Sequence, residues 1–333
     1  YMSQKFDLTS TTKGHYLYDY NHNVRQTFGN TKLGDIKYTD IKKFYYSLLL
    51  ERGLSPTFVE RVHTVIHPTL QLAVREEIIR SNPSDGVMAE IKKSKIWTKT
   101  KRHALTTEQQ KNFMNFIEND RDMTGWVPII TVLLGTGMRI GECLGLRWID
   151  IDFEKRLISI NHNLTNSLDP DNDMKVTRHI STPKTEAGIR MIPMIDEAYD
   201  EFINEYQLQK CIGFCDDEID GYSGFVFSNA SGRVYSAQTV NRAIHRMIDK
   251  YNAQETMKAR KERRDPILMP EFSAHHLRHT FFSRLVEHES NIKVIQEIMG
   301  HADIETTMDI YAEFSPEKKQ EAVLNLQGKI IIK

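Results

Sequence analysis

The sequence has no long apolar run. None approaches the ~18 residues that cross a bilayer, and the opening stretch, YMSQKFDLTSTTKG, lacks the apolar core of a secretion signal. Three cysteines (Cys143, Cys211 and Cys215) are too few for a disulfide framework, which points to a reducing, intracellular setting. Cys211 and Cys215 stand four apart, but no second cysteine pair joins them to complete a zinc site. Internal repeats and low-complexity tracts are missing as well. Net charge is nearly absent, at −1 over 333 residues, and at first sight this argues against a nucleic-acid partner. The charge is unevenly spread, however. Residues 1–104 carry 17 Lys and Arg against 10 Asp and Glu, leaving 27 against 35 for the rest. A basic front and an acidic rear make the overall balance misleading, because phosphate binding responds to local charge.

What is present is mostly helical pattern. The length suggests about two domains, and residues 1–94 read as a small helical one. The stretch DIKKFYYSLLLERG has a helical apolar rhythm ending at Gly53, a candidate C-cap. A second helix is expected from Ser55 as N-cap and Pro56 in the first turn, running to Asn82-Pro83 with Pro68 as a possible kink. Residues 95–105 are basic and aperiodic and read as an interdomain linker. From Thr106 the pattern changes to a larger domain, 106–314, followed by a tail, 315–333. TTEQQKNFMNFIEN and WVPIITVLLGTG read as helices, the second apolar enough to be buried. Three short strands are expected in RLISINHNL (156–164), VTRHISTP and GIRMIPMI (188–195). Further helices follow, including SAQTVNRAIHRMIDKYN and SAHHLRHTFFSRLVEHE. The expected fold class is mainly α with one small antiparallel β-sheet.

Four stretches of the larger domain carry chemistry. GTGMRIGE places Arg139 at the start of a helix; TPKTEAGIR places Lys184 in a turn between strands; SAHHLRHT offers His275 and Arg278, three apart on a helix; GHADIETTMDIY adds His301 and Tyr311. Each has a plain structural reading. Arg139 is able to pair with Glu142, Lys184 to be a solvated tip, Gly300 to be a C-cap and Tyr311 to be a packing residue. His275 and His279 have the i, i+4 spacing of metal ligands, but no Glu lies between them and an arginine shares their helix, so no metal is expected. Taken together, the six residues form a kit for phosphodiester chemistry. Two guanidiniums are bidentate donors to non-bridging oxygens, and a tyrosine hydroxyl can attack phosphorus and hold it as an ester. A lysine can protonate the leaving sugar oxygen, and histidines can move the tyrosine's proton. No carboxylate cluster suits Mg²⁺, so no cofactor is expected.

These boxes, in this order, resemble the tyrosine recombinases, most nearly the integrases of conjugative transposons and related phages. The front half is similar to that family's helical core-binding domain. The resemblance implies a core-binding and a catalytic domain forming a clamp around double-stranded DNA, with Arg139, Arg278 and His301 holding the scissile phosphate. It also implies His275 assisting proton transfer, Lys184 as general acid and Tyr311 as the nucleophile that becomes linked to the 3′ phosphate. A Holliday junction, a homotetramer on two DNA segments, an excisionase or host bending factor, and a cytoplasmic location on bacterial DNA follow from the same likeness. So does a tail that docks on a neighbouring protomer. The further amino-terminal arm-binding domain of such integrases is expected to be absent. Candidate DNA contacts are Lys95, Lys99, Lys101 and Arg102 in the linker and Lys258, Arg260, Lys261, Arg263 and Arg264 in KARKERRDP. Two other readings share much of this kit: a DNA-binding protein with an inactive site, and a type IB-like topoisomerase.

Overall fold

The computed structural model describes residues 2–6, 8, 10–98, 104–169, 175–183, 185–289, 291–305 and 307–308. Lys99, Lys101, Arg102, Lys184, Tyr311 and the tail 315–333 lie outside them. The chain divides into two units, residues 1–101 with 166–178 and residues 102–165 with 179–333.

In the first unit, α1 (Ser10–Asp19) runs through a π-helical turn, Tyr20–Val24, into α2 (Arg25–Phe28); α3 (Tyr38–Leu50), α4 (Pro56–Arg75) and α5 (Val87–Lys92) follow. The periodic apolar positions become the core: Ile41, Tyr45 and Leu48 of α3 meet Val59 and Val62 of α4 and Val87 and Ile91 of α5, all fully buried. Ser55 caps α4, its hydroxyl accepting from the Phe58 N–H at 3.3 Å. Pro68 stays inside the helix. The expected end at Asn82-Pro83 is wrong, because α4 stops at Arg75. Glu77 there takes a left-handed conformation (φ 58°), and the Ile78 N–H closes back on the Ala73 carbonyl. That turn swings Ile79 into the core, a burial that continuing the helix would not give.

The second unit opens with α6 (Thr107–Asn119), where Thr106 and Gln109 form a reciprocal capping box. Next come α7 (Val127–Thr136) and α8 (Ile140–Gly145). Strands β1 (Ile151–Asp152), β2 (Leu157–Ile160), β3 (Asn163–Asp169), β4 (Lys175–Ser181) and β5 (Arg190–Pro193) form two small sheets, although residues 166–178 of β3 and β4 group with the first unit. One has the antiparallel order β1-β2-β5, with Ile158 opposite Ile192 and Ile160 opposite Arg190; the other is the β3–β4 hairpin. The single strand expected over 156–164 is therefore two, broken at Asn161 and His162. Asn161 donates to Asp150, and the buried His162 ring bonds the Gly145 carbonyl; these contacts turn the chain from one sheet to the other. Helices α9 (Asp196–Ile212), α10 (Ala237–Glu262), α11 (Ala274–His288) and α12 (Ile292–Met299) complete the unit. The apolar α7 packs against α9 and α11, and its Ile130, Val132 and Leu133 have no exposed surface. No helix among the described residues is long and apolar enough to cross a membrane.

Because Leu133 is fully buried and Leu50 is 60% exposed, their truncations differ in cost. Leu133→Ala is expected to lose about 3 kcal/mol and Leu50→Ala close to none, read as shifts in the urea midpoint by tryptophan fluorescence.

Candidate active site

The site starts where α7 ends. Gly137 terminates that helix with φ +62°, and a Cβ there would lie 2.2 Å from Cδ1 of Phe281. Only glycine meets both demands. Its carbonyl points at the site and accepts from Nη1 of Arg278 at 2.7 Å. Two residues on, Arg139 is extended and sits at the N-cap of α8. Its backbone N–H donates to Glu142 Oε2 at 2.8 Å and its Nη1 to Glu142 Oε1 at 2.8 Å. The ion pair that the sequence left open is thus real, yet it does not exhaust Arg139: Nη2 donates to the Gly300 carbonyl at 3.1 Å, and 42% of the side chain is exposed.

Arg278 lies on α11 and is only 4% exposed. Its Nη2 donates to the Met299 carbonyl at 2.5 Å and to Nε2 of His301 at 3.1 Å. A third arginine, which the sequence reading did not select, completes the cluster. Arg190, the first residue of β5, is 6% exposed. It grips both oxygens of Glu142, at 2.8 and 3.1 Å, and donates Nε to the Ile298 carbonyl at 2.8 Å. It stands in the same quoted stretch as Lys184, but only its partner 48 residues away marks it out. The carbonyls of Ile298, Met299 and Gly300 therefore accept from Arg190, Arg278 and Arg139 in turn. These are the last carbonyls of α12, which lack intrahelical partners and sit at the negative end of the helix dipole. Gly300 is indeed a C-cap (φ +63°). It is held to glycine twice over, since a Cβ would come within 2.8 Å of Arg190 Nη1.

Charge follows from this geometry. Burial would raise the Glu142 carboxyl, but the bonds and charge of Arg190, with the charge of Arg139, outweigh it and hold the group at about 2. Burial, then the charge of Arg139, pushes Arg278 down to about 9, still a cation at neutral pH. Burial first, then Arg278, pushes His301 down to about 4. His301 is therefore neutral. Guanidinium offers only donors, so Nε2 of His301 accepts and Nδ1 carries the proton toward Thr307 Oγ1 at 3.0 Å.

The remaining selected residues distribute differently. His275 is exposed, one turn before His279, with ring centroids 4.9 Å apart. Its spacing from Arg278 puts the two on one helix, but at different depths. Lys95, Lys258, Arg260, Lys261 and Arg263 are exposed. Arg264 differs from its neighbours: it pairs with Glu255 at 2.5 Å and Glu262 at 2.7 Å, and Glu255 also accepts the Ile267 N–H. Its guanidinium braces the turn after α10.

A mainly helical unit thus gathers three arginines and a histidine at one helix end, with the buried carboxylate of Glu142 between two of them. Residues 103–318 match the phage integrase family, and the chain belongs to that family. It is similar to the transposase from transposon Tn916 of Enterococcus faecalis, 31% identical over 291 residues, 86% of this chain and 66% of that protein. The chain thus spans just under two thirds of that relative's length. The ICEBs1 integrase of Bacillus subtilis (strain 168) is 27% identical over 315 residues, 91% of this chain and 74% of that protein. Among solved structures, the Tn1549 transposon integrase in complex with circular intermediate DNA matches with a TM-score of 0.78 and 26% identity, covering 97% of this chain and 96% of that one.

The depressed His301 gives a pH dependence. Below about pH 6.5 the unfolded imidazole binds a proton that the native one refuses down to about 4, so stability falls as pH drops through that window. Going from about pH 7.5 to about pH 5 should cost on the order of 2 kcal/mol from this group. Urea midpoints at the two pH values measure it, and in His301→Gln the difference should shrink by that amount.

Proposed function

We propose that this chain is a site-specific DNA recombinase, the integrase of a mobile element, that cleaves and rejoins double-stranded DNA through a 3′-phosphotyrosyl bond at Tyr311. The observation that carries this reading, beside family membership, is the pairing of Arg139 and Arg278 at the end of α12, immediately before His301. Both guanidiniums are anchored by neutral carbonyls, and fixed donors of this kind stabilise the charge that grows on phosphorus. Tyr311 attacks the scissile phosphate, the P–O5′ bond breaks, and Lys184 protonates the leaving 5′ oxygen. His275 takes part in moving the tyrosine's proton. His301 in the DNA-free protein orients Arg278 as an acceptor; serving as a third phosphate donor requires a proton, which an arriving anion favours. The arginines do what a metal does elsewhere, and the energy of the broken ester is kept in the phosphotyrosine, so no cofactor is called for.

Attack by the 5′ hydroxyl of a second strand reverses the bond and gives a Holliday junction. The likeness to an integrase solved on circular intermediate DNA supports DNA as the partner. On the same reading the helical domain 1–94 and catalytic domain 106–314 clamp the duplex through the basic linker 95–105. Four protomers assemble on two DNA segments, residues 315–333 dock on a neighbour, and an excisionase or host bending factor sets direction.

The test is a nicked duplex carrying the element's end sequence, incubated with the protein in EDTA. Nicking near the cleavage point lets the leaving strand diffuse away and traps the covalent intermediate. A protein–DNA adduct on a denaturing gel is expected, lost in Tyr311→Phe and slowed on the order of 10²–10³-fold in Arg278→Ala. Tight binding without an adduct would favour an inactive DNA-binding protein, and relaxation of a plasmid lacking any such site would favour a topoisomerase. Replacing Lys95, Lys99, Lys101 and Arg102 with alanine should weaken binding evenly across sequences and reduce the salt slope by about one per lost phosphate contact. An unchanged slope removes them from the interface.

A further inference from the structure

We propose that Arg190 is a positioning residue for strand transfer, which takes up the charge of Glu142 so that Arg139 remains a net cation toward the phosphate. The inference rests on the recombinase reading above and adds a residue that neither the sequence motifs nor the proposed chemistry uses.

The Glu142 carboxylate has about four lone-pair sites, and four donors fill them. Arg190 supplies two, and the Arg139 guanidinium and backbone N–H supply one each. Arg190 spends its third donor, Nε, on Ile298, which ties β5 to the last turn of α12. Its side chain is only 6% exposed, and its guanidinium is taken up by Glu142 and by the carbonyls of Ile298 and Gly188. Charge is what it changes. Among the described residues of the site, Arg139, Arg190 and Arg278 are three cations, Glu142 is one anion and His301 is neutral, which leaves two positive charges in excess. A phosphodiester carries one negative charge, and attack by a phenolate brings a second onto the oxygens of the pentacoordinate transition state. Arg190 adds one positive charge toward that state by taking up Glu142. Without it Glu142 would close on Arg139 alone and cancel the charge that Arg139 offers the phosphate.

The experiment uses the full chain and the nicked duplex, with adduct formation followed under single turnover and DNA affinity and melting temperature measured alongside. Arg190→Met is expected to bind DNA as tightly as the unsubstituted protein and to form adduct on the order of 10²-fold more slowly. Glu142→Gln combined with Arg190→Met restores two excess positive charges, and is expected to recover at least about tenfold of that loss. Arg190→Lys, which keeps the charge with poorer geometry, should fall between. A substrate with a methylphosphonate at the scissile position carries no charge there, so on it the deficit of Arg190→Met relative to the unsubstituted protein should largely vanish. If the unsubstituted protein does not cleave that linkage, the double variant decides.

Adduct formation unaltered in Arg190→Met overturns the proposal. So does a folded double variant that is no faster than Arg190→Met, or a deficit of equal size on both linkages. Should Arg190→Met fail to fold, a double variant that folds but cleaves on the order of 10²-fold slower than the unsubstituted protein overturns it equally. Absence of any Tyr311-dependent adduct from the unsubstituted protein would instead defeat the recombinase reading, so the two failures are distinguishable.

Discussion

Three guanidiniums crowd the end of one short helix, and the geometry of the second unit depends on how their repulsion is contained. Like charges at such separations cost several kcal/mol in a partly desolvated site, and burial adds to that for Arg278, pushed down to about 9. Two features hold them together. The free carbonyls of α12 are already oriented as acceptors, and each takes one arginine. A single buried carboxylate, Glu142, bridges Arg139 and Arg190. Neither feature suffices alone: carbonyl dipoles cannot cancel three charges, and one carboxylate cannot reach Arg278.

That arrangement needs α12 and the α7–α8 turn to be fixed with respect to one another, and apolar packing fixes them. Phe282 and Val286 of α11 bury against Ile295 and Met299 of α12, so the helix that carries Arg278 also seats the helix whose end receives it. α11 also packs on the mostly apolar α7. Gly137 lets Phe281 approach the turn closely enough for Arg278 to reach its carbonyl. The polar site is thus a by-product of helix packing, and its side chains are placed by elements too well buried to move independently.

Neutral His301 fits the same logic. A second protonated group beside Arg278 would add repulsion that no further carboxylate among the described residues of the site offsets, so the proton stays off. On the recombinase reading, an incoming phosphate favours the proton again.

Much of this was legible in the sequence, and the limit is one of range. The cap at Ser55, the buried α7 and the C-cap at Gly300 rest on interactions within a few residues, which pattern and spacing encode directly. The end of α4 was misread because a left-handed Glu77 leaves no signal comparable to glycine. The strand over 156–164 was misread because His162 breaks it by bonding a carbonyl 17 residues away. Arg264 looked like its exposed neighbours until Glu255, nine residues back, claimed it. Sequence alone singled out Arg139, Arg278 and His301 as candidates and placed Arg139 at a helix start and Arg278 within a helix. Tertiary structure alone decided that Arg190 joins them, that Glu142 is shared, and that one helix end receives all three arginines. Those pairings span 21 to 161 residues, and local propensity carries no information about a partner that only packing brings near.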